Sequence, residues 1–398
     1  MSSTPWKEAA TLIIVARASV TQKIGVDLGH NLIVSSRVLP NEEKATIRSS
    51  KQLTSTDYRV LMVKRSNLSS FMASAYVFPG GHVEISDYSS KWWNLFQRLG
   101  INKETLIKDI RSRVTGPRPP MIQNPTILQE IDTHANEFDN LLIPEIALRI
   151  AAIRETFEET GVALLTSVPY GNQSTDDVNI GNVDLVSWRQ KVRENGSNFI
   201  NLCEQLNQVP NIWSLYEWWD WLTPISVGHK RFDTMFYICC LNKQPKVVLD
   251  NTEVTKLKWC TPSEIINEHT NEGVFLAPPQ VYELARLDNL ASFDEIERFS
   301  REREKFGVQR WMPVIATYSD GAISLLPGDD AFPSEPDIIG LKPVPDFPET
   351  LAQMKSQVTN INRIELRGPV CTCLNNCRLT CGHLSPVPAP SSSVKSKL

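Results

Sequence analysis

Apolar and polar positions along the chain sort into short strands separated by helical stretches. Residues 9–17 form a mostly apolar run, interrupted only by Thr11 and closed by Arg17, the pattern of a buried strand. Residues 18–55 are polar and mixed, which predicts a long loop or small insertion. Tyr58-Arg59-Val60-Leu61-Met62-Val63-Lys64 alternates well enough for a second strand, and Ala75-Tyr76-Val77-Phe78 for a third. The third runs into Pro79-Gly80-Gly81, a sharp turn where backbone can approach a ligand closely. Trp92-Trp93-Asn94-Leu95-Phe96 opens an amphipathic helix, residues 103–114 keep helical spacing, and Gly116-Pro117-Arg118-Pro119-Pro120 breaks it. The aromatic residues of that stretch are expected to pack it onto the body rather than to stack on a ligand. Residues 143–152 repeat apolar positions at helical spacing and lead directly into an acidic segment.

Downstream, residues 183–206 are helical in period, and residues 213–222 are rich in tryptophan, read as a strand in a core rather than a stacking surface. Strands are predicted at 230–238, 247–250 and 253–259. Thr261-Pro262-Ser263-Glu264 starts a helix, and Pro278-Pro279 starts another through Leu287. Strands and helices mixed in this order predict an α/β fold with a mixed sheet between helical layers.

At 398 residues and 41% hydrophobic, the chain can bury a large core, as two or three domains or as one heavily decorated domain. Its 41 basic and 45 acidic residues give a net charge of −4, which argues against nucleic acid as a partner. No apolar run approaches a membrane span. The eight cysteines, including Cys239-Cys240, are expected to be reduced. Cys371, Cys373, Cys377, Cys381 and His383 cluster near the end, either as one Zn2+ site or as reduced thiols.

The chemistry concentrates in residues 154–162. Glu155, Glu158 and Glu159 stand at i, i+3 and i+4, hence on one helix face. Crowded carboxylates repel unless a cation joins them, and hard oxygen donors suit Mg2+ or Mn2+. Arg154 is placed to orient them, and Gly161 to end the helix in a left-handed cap. A solvated acidic helix face is the bland alternative. The Gly-Gly turn upstream and the Arg154–Gly161 frame argue against it.

Together, Phe78-Pro79-Gly80-Gly81 through Asp87 and Arg154-Glu155-Thr156-Phe157-Glu158-Glu159-Thr160-Gly161-Val162 resemble the two halves of the Nudix box. Positions 88–153 separate the halves where the family commonly has about seven residues. That insertion, with residues 149–159, Arg231-Phe232-Asp233-Thr234 and Ala277-Pro278-Pro279-Gln280, is similar to the peroxisomal coenzyme A diphosphatase branch of the Nudix hydrolases over most of residues 5–315. The resemblance implies a Nudix domain at 5–315 carrying an insertion at 88–145. Beyond it follow an extension at 316–370, the Cys/His cluster at 371–383 and a tail at 384–398.

It further implies metal-assisted hydrolysis of the diphosphate of coenzyme A or acyl-coenzyme A. In that scheme Glu158 and Glu159 are the primary metal ligands, Glu155 is a ligand or the general base beside Arg154, and Asp87 and the Gly81 carbonyl complete the shell. Arg65, Lys64, Lys230 and Arg231 are the candidates for the 3′-phosphate. Leu61, Arg65 and Ser66 keep register with the branch's coenzyme A motif, but Ser70 and Ser74 stand where Arg and Gly would, and Thr156 replaces an apolar residue. NADH or ADP-ribose as substrate, and a non-catalytic Nudix-fold binding module, are the competing readings. Ser396-Lys397-Leu398, after a Pro/Ser-rich stretch, matches the tripeptide read by the peroxisomal import receptor, so a peroxisomal location is expected.

Overall fold

The computed structural model describes residues 6–18, 56–129, 140–167, 183–228, 230–248 and 254–387. The expected loop at 18–55, Leu249-Asp250 and Ser396-Lys397-Leu398 lie almost or wholly outside them.

The main sheet has eight strands. They are β1 (Lys7–Arg17), β2 (Tyr58–Arg65), β3 (Tyr76–Val77), β4 (Gly80–His82), β7 (Tyr216–Leu222), β8 (Phe232–Leu241), β9 (Val254–Cys260) and β10 (Arg310–Trp311). β5 (Leu165–Thr166) and β6 (Val209–Pro210) form a separate two-stranded ladder. The main order is β10-β7-β8-β1-β2-β3, with β4 also on β1 and β9 on β2. β1 lies at the centre, parallel to β8 and antiparallel to β2. Its mostly apolar run follows, because both faces are covered. Ala10, Leu12 and Ile14 pack toward the helix Pro144–Thr160, while Ile13 and Val15 pack toward the helices Pro278–Leu287 and Phe293–Glu304.

The insertion is helical, with Lys91–Arg98, Lys103–Ser112, Pro120–Gln123 and Thr126–Gln129. Trp92, Phe96, Leu106, Ile110 and Met121 join the core around Pro144–Thr160, so these aromatics pack as expected. Arg118, in the helix-breaking segment, pairs with Glu217 of β7 through both guanidinium amines, at 2.6 and 2.8 Å. The tryptophans of β7 are also core residues. Trp218 and Trp221 both donate to the buried Glu283 carboxylate, at 2.6 and 2.8 Å.

Residues 183–206 are helical as expected, in two helices, Leu185–Glu194 and Asn198–Leu206, divided near Gly196. A Cβ at Gly196 would come within 2.3 Å of the Glu84 carboxylate, so a larger residue there would make the Glu84 side chain turn aside. One expected strand is corrected. Val247-Val248 is not a strand. The Val248 amide instead donates to the Thr160 carbonyl, satisfying an end group of the Pro144–Thr160 helix.

Residues 314–375 build a second sheet, β11 (Val314–Tyr318), β12 (Gly321–Leu325), β13 (Asn362–Arg367) and β14 (Val370–Asn375), antiparallel throughout. It runs across the boundary expected at 370. The Cys/His cluster does not gather into a metal site, and zinc is not supported. Cys371 and Cys373 are strand residues packed toward the body core, and the His383 ring lies against Trp219, Trp311 and Tyr282, 3.1 Å from the Tyr282 hydroxyl. Among the described residues no three His, Cys, Asp or Glu side chains converge as a metal site. All eight cysteines are unbridged, and no described helix is long and apolar enough to cross a membrane.

Buried acids near the start of β1 give the fold a pH signature. Glu8 accepts from the Thr126 amide at 2.6 Å, and burial, with Asp233 nearby, pushes its carboxyl up to about 7. A carboxyl whose folded value is raised contributes full stability below its unfolded value and loses it as pH rises through the folded value. Glu8→Gln should therefore stabilise the protein by roughly 1–3 kcal/mol at pH 8 and by little at pH 5, read from denaturant midpoints at the two pH values. An equal gain at both would contradict the assignment.

Candidate active site

The site forms where β4 meets the last two turns of the helix Pro144–Thr160. β4 pairs with β1 through Thr11↔Gly80, Ala10↔Gly81 and Ala9↔His82, which fixes the Pro-Gly-Gly turn against the sheet. Ideal Cβ atoms on Gly80 and Gly81 would lie 2.5 Å from the Ala10 carbonyl oxygen and 2.5 Å from Glu155 Oε2. The Gly80 contact is with fixed backbone and requires glycine, whereas a methyl at Gly81 would push the Glu155 carboxylate aside. The helix begins with Pro144 in its first turn and ends at Gly161, whose φ of 74° is the left-handed cap expected from its position. Arg189 then donates to the Glu158 carbonyl at 2.9 Å and to the Val248 carbonyl at 2.7 Å, holding this helix end in place.

Arg154 organises the carboxylates. It is buried, and its guanidinium meets Asp87 in a two-pronged pair, Nε to Oδ1 and Nη2 to Oδ2, both 2.9 Å. Nη1 donates to Glu155 at 3.0 Å and Glu158 at 2.7 Å, and Nη2 donates to the His82 carbonyl at 2.7 Å. Burial opposes its charge, but Asp87 and Glu155 keep the guanidinium protonated. Glu159 accepts from the Gly80 amide at 3.0 Å. Burial pushes the Glu155 and Glu158 carboxyls above the usual range; Glu158 and Glu159 add to the effect at Glu155, as Glu84 and Asp87 do at Glu158. One arginine thus only partly neutralises the group.

Glu155, Glu158 and Glu159, with Gly81, line one side of a cavity of about 880 Å3. Their side chains are spread over Arg154 and the Gly80 amide rather than gathered on a single point. The donor set is nonetheless four hard carboxylates, counting Glu84, on one cavity wall, and such a set suits Mg2+ or Mn2+.

Asp87 is placed otherwise than expected. It is buried away from the cavity, with both oxygens on Arg154 and one also accepting from the Glu84 amide at 2.8 Å. It holds Arg154 rather than facing a metal. Glu84 lines the cavity in its stead, as do His82 and Arg193. The only sequence signal for Glu84 and His82 was their place beside the Gly-Gly turn.

Among the cations, Arg65 and Lys230 line the cavity. Lys64 does not, because neighbouring strand residues point to opposite faces, and its ammonium lies over the Tyr76 ring. Arg231 is a correction: it is buried and donates to the Thr223 carbonyl at 2.9 Å and the Ile338 carbonyl at 2.8 Å, which ties chain segments together. The loop after Arg65 keeps glycine-like geometry without glycine, since Ser74 has a φ of 62°. Lys230 Nζ donates to Ser70 Oγ at 2.6 Å, which places a cation beside the serine that stands where the resembled motif has arginine.

Gly81→Ala should lower kcat by about a hundredfold or more while the protein still folds, because the added methyl displaces the Glu155 carboxylate. A circular dichroism spectrum and a kcat measurement test this. Unchanged kcat would show that the close approach is dispensable.

Residues 6–287 match the family model for the NUDT19 Nudix domain, and residues 315–376 match that for the NUDT19 C-terminal domain. The chain is 38% identical over 410 residues to acyl-coenzyme A diphosphatase NUDT19 of Xenopus laevis, covering 99% of this chain and 98% of that protein. The protein of the same name from Homo sapiens is 36% identical over 292 residues, 71% of this chain and 74% of that one. A putative nudix hydrolase 7 of Caenorhabditis elegans is 28% identical over 274 residues, covering 69% and 70%. Among solved structures, a NUDIX hydrolase from Alicyclobacillus acidocaldarius is 16% identical with a TM-score of 0.45, covering 75% of this chain and 97% of that one.

Proposed function

Because the chain belongs to the NUDT19 family of Nudix hydrolases, we propose that it hydrolyses the diphosphate of coenzyme A and acyl-coenzyme A. The products are adenosine 3′,5′-bisphosphate and (acyl-)4′-phosphopantetheine. The observation that carries the reading is the cavity itself, with Glu155, Glu158 and Glu159 on one wall and Arg65 and Lys230 elsewhere around it. Its size suits an extended ligand better than a single phosphate. The relatives named acyl-coenzyme A diphosphatase support the substrate class.

Glu158 and Glu159, with Glu155, would hold Mg2+ or Mn2+. A divalent cation bound there supplies charge neutralisation at the phosphoryl oxygens and an acidified water. Arg154, clamped by Asp87, sets where Glu155 and Glu158 point, so the carboxylates are presented rigidly and need little reorganisation during the reaction. Glu155, held by Arg154 Nη1 at 3.0 Å on the cavity wall, would serve either as a further metal ligand or as the base that takes a proton from the attacking water. Lys230 and Arg65 offer charge for a terminal phosphate of the substrate.

The test is a substrate panel with Mg2+ or Mn2+ that compares coenzyme A, an acyl-coenzyme A, NADH and ADP-ribose. Coenzyme A derivatives should lead NADH by at least about tenfold in kcat/KM. A preference for NADH or ADP-ribose would overturn the substrate assignment, and binding without turnover of any of them would favour a non-catalytic module. A peroxisomal location completes the proposal, with Ser396-Lys397-Leu398 as the address. Appending residues 387–398 to a fluorescent protein should send it to peroxisomes, and a diffuse cytosolic signal would refute the address.

A further inference from the structure

The C-terminal sheet turns one face toward the catalytic body. Its register aligns Ile315 with Ser324 and Ser324 with Ile364, and strand alternation puts Leu366 on the same side. The opposite face has its own small core, in which Ala316, Ile323 and Leu325 pack with Leu351 and Met354. The body-facing side is divided. Ile364 is buried in the same core as Tyr282 and Trp221, whereas Ile315, Ser324 and Leu366 line the cavity that also carries Glu155 and Glu158.

The sheet topology explains how a distant segment reaches that cavity. The Gly80–His82 turn is paired to the edge of β1 opposite β8, so β7 lies three strands from the turn, on the order of 15 Å at ordinary strand spacing. β10 extends beyond β7, and β11 begins within a few residues of β10. The cavity therefore runs from the carboxylates across the strands to the second sheet. The wall at that end, Leu222, Pro313, Ile315 and Leu366, carries no charge, in contrast to the carboxylate wall. Ile315 and Leu366 are only half-buried, so apolar surface is left facing the cavity. An apolar wall opposite a polar one suits a ligand with a charged centre and an apolar arm.

We propose that the C-terminal sheet forms the acyl-group wall of the substrate cavity, and that Ile315 and Leu366 set which acyl-chain lengths are hydrolysed. The proposal rests on the acyl-coenzyme A reading and adds to it a specificity role for a domain outside the Nudix fold.

The experiment measures kcat and KM of the full chain for free coenzyme A and for acetyl-, octanoyl- and lauroyl-coenzyme A. Ile315→Trp and Leu366→Trp should lower kcat/KM for lauroyl-coenzyme A at least about tenfold, chiefly through KM, and change free coenzyme A by less than about threefold. Ile315→Ala and Leu366→Ala, which open space without overpacking, should shift the optimum toward longer chains; they decide the matter if a tryptophan variant melts well below the parent protein. Equal losses on every substrate, or an unchanged chain-length profile in the alanine variants, would overturn the proposal. If the parent protein hydrolyses no coenzyme A derivative, the functional reading itself fails. A parent that hydrolyses them while the variants leave the profile unmoved would refute only the role of the sheet.

Discussion

Glu158→Gln lowers kcat by at least about a hundredfold while leaving the fold intact. The substitution keeps the side-chain volume and an oxygen that can accept from Arg154 Nη1, now 2.7 Å away, but it removes a negative charge from the cavity wall. Phosphoryl transfer depends on positioned charge more than on covalent participation, so charge is the property that matters. Burial already holds this carboxyl partly toward its neutral form, and removing the charge should not destabilise the folded protein. Glu159→Gln should behave alike, since its amide oxygen can still accept from the Gly80 amide. Turnover and thermal midpoint are measured together. Near-normal kcat in either variant would remove that residue from the metal-binding group, and a collapsed thermal midpoint would show a structural role instead.

Arg154→Ala has the largest effect on stability, a loss of roughly 3–5 kcal/mol with turnover near zero. The reason is Asp87. Its carboxylate is buried with the guanidinium as its charged partner, and deleting the arginine strands that charge out of water. The loss should appear as a large drop in the denaturant midpoint. Arg154→Ala with Asp87→Ala should recover part of the stability, because the buried Asp87 charge is removed along with its partner, yet recover no activity, because Glu155 and Glu158 still lack their common donor. Recovery of activity in the double variant would mean that Arg154 serves Asp87 alone.

The helix Pro144–Thr160 was legible in the sequence, because its limits carry local signals: Pro144 at the first turn, Gly161 at the cap, and three glutamates at helical spacing between. β1 was equally legible as an apolar run of strand length. The roles of Asp87 and Arg231 were not. Both occupy motif positions, and both are consumed by pairings with residues far away in sequence, Arg154 in one case and Thr223 and Ile338 in the other. Nothing local distinguishes a buried arginine from one facing a ligand. The Cys/His cluster was misleading for a related reason. Proximity in sequence suggested a shared ligand, but a β-strand spreads residues along its length, and β14 commits Cys371 and Cys373 to packing. The second sheet as a cavity wall was invisible, because it depends on how β10 extends the main sheet beyond β7.

The central claim is cleavage within the diphosphate of coenzyme A by the site around Glu155, Glu158 and Glu159. Mass spectrometry identifies the products after the full chain is incubated with an acyl-coenzyme A and Mg2+ in 18O-labelled water. Adenosine 3′,5′-bisphosphate and acyl-4′-phosphopantetheine are expected in equal amounts, one of them carrying a single labelled oxygen, with at least about a hundredfold slower formation of both by Glu158→Gln. Release of the free acid from the thioester with the diphosphate intact, or equal product formation by Glu158→Gln, would contradict it.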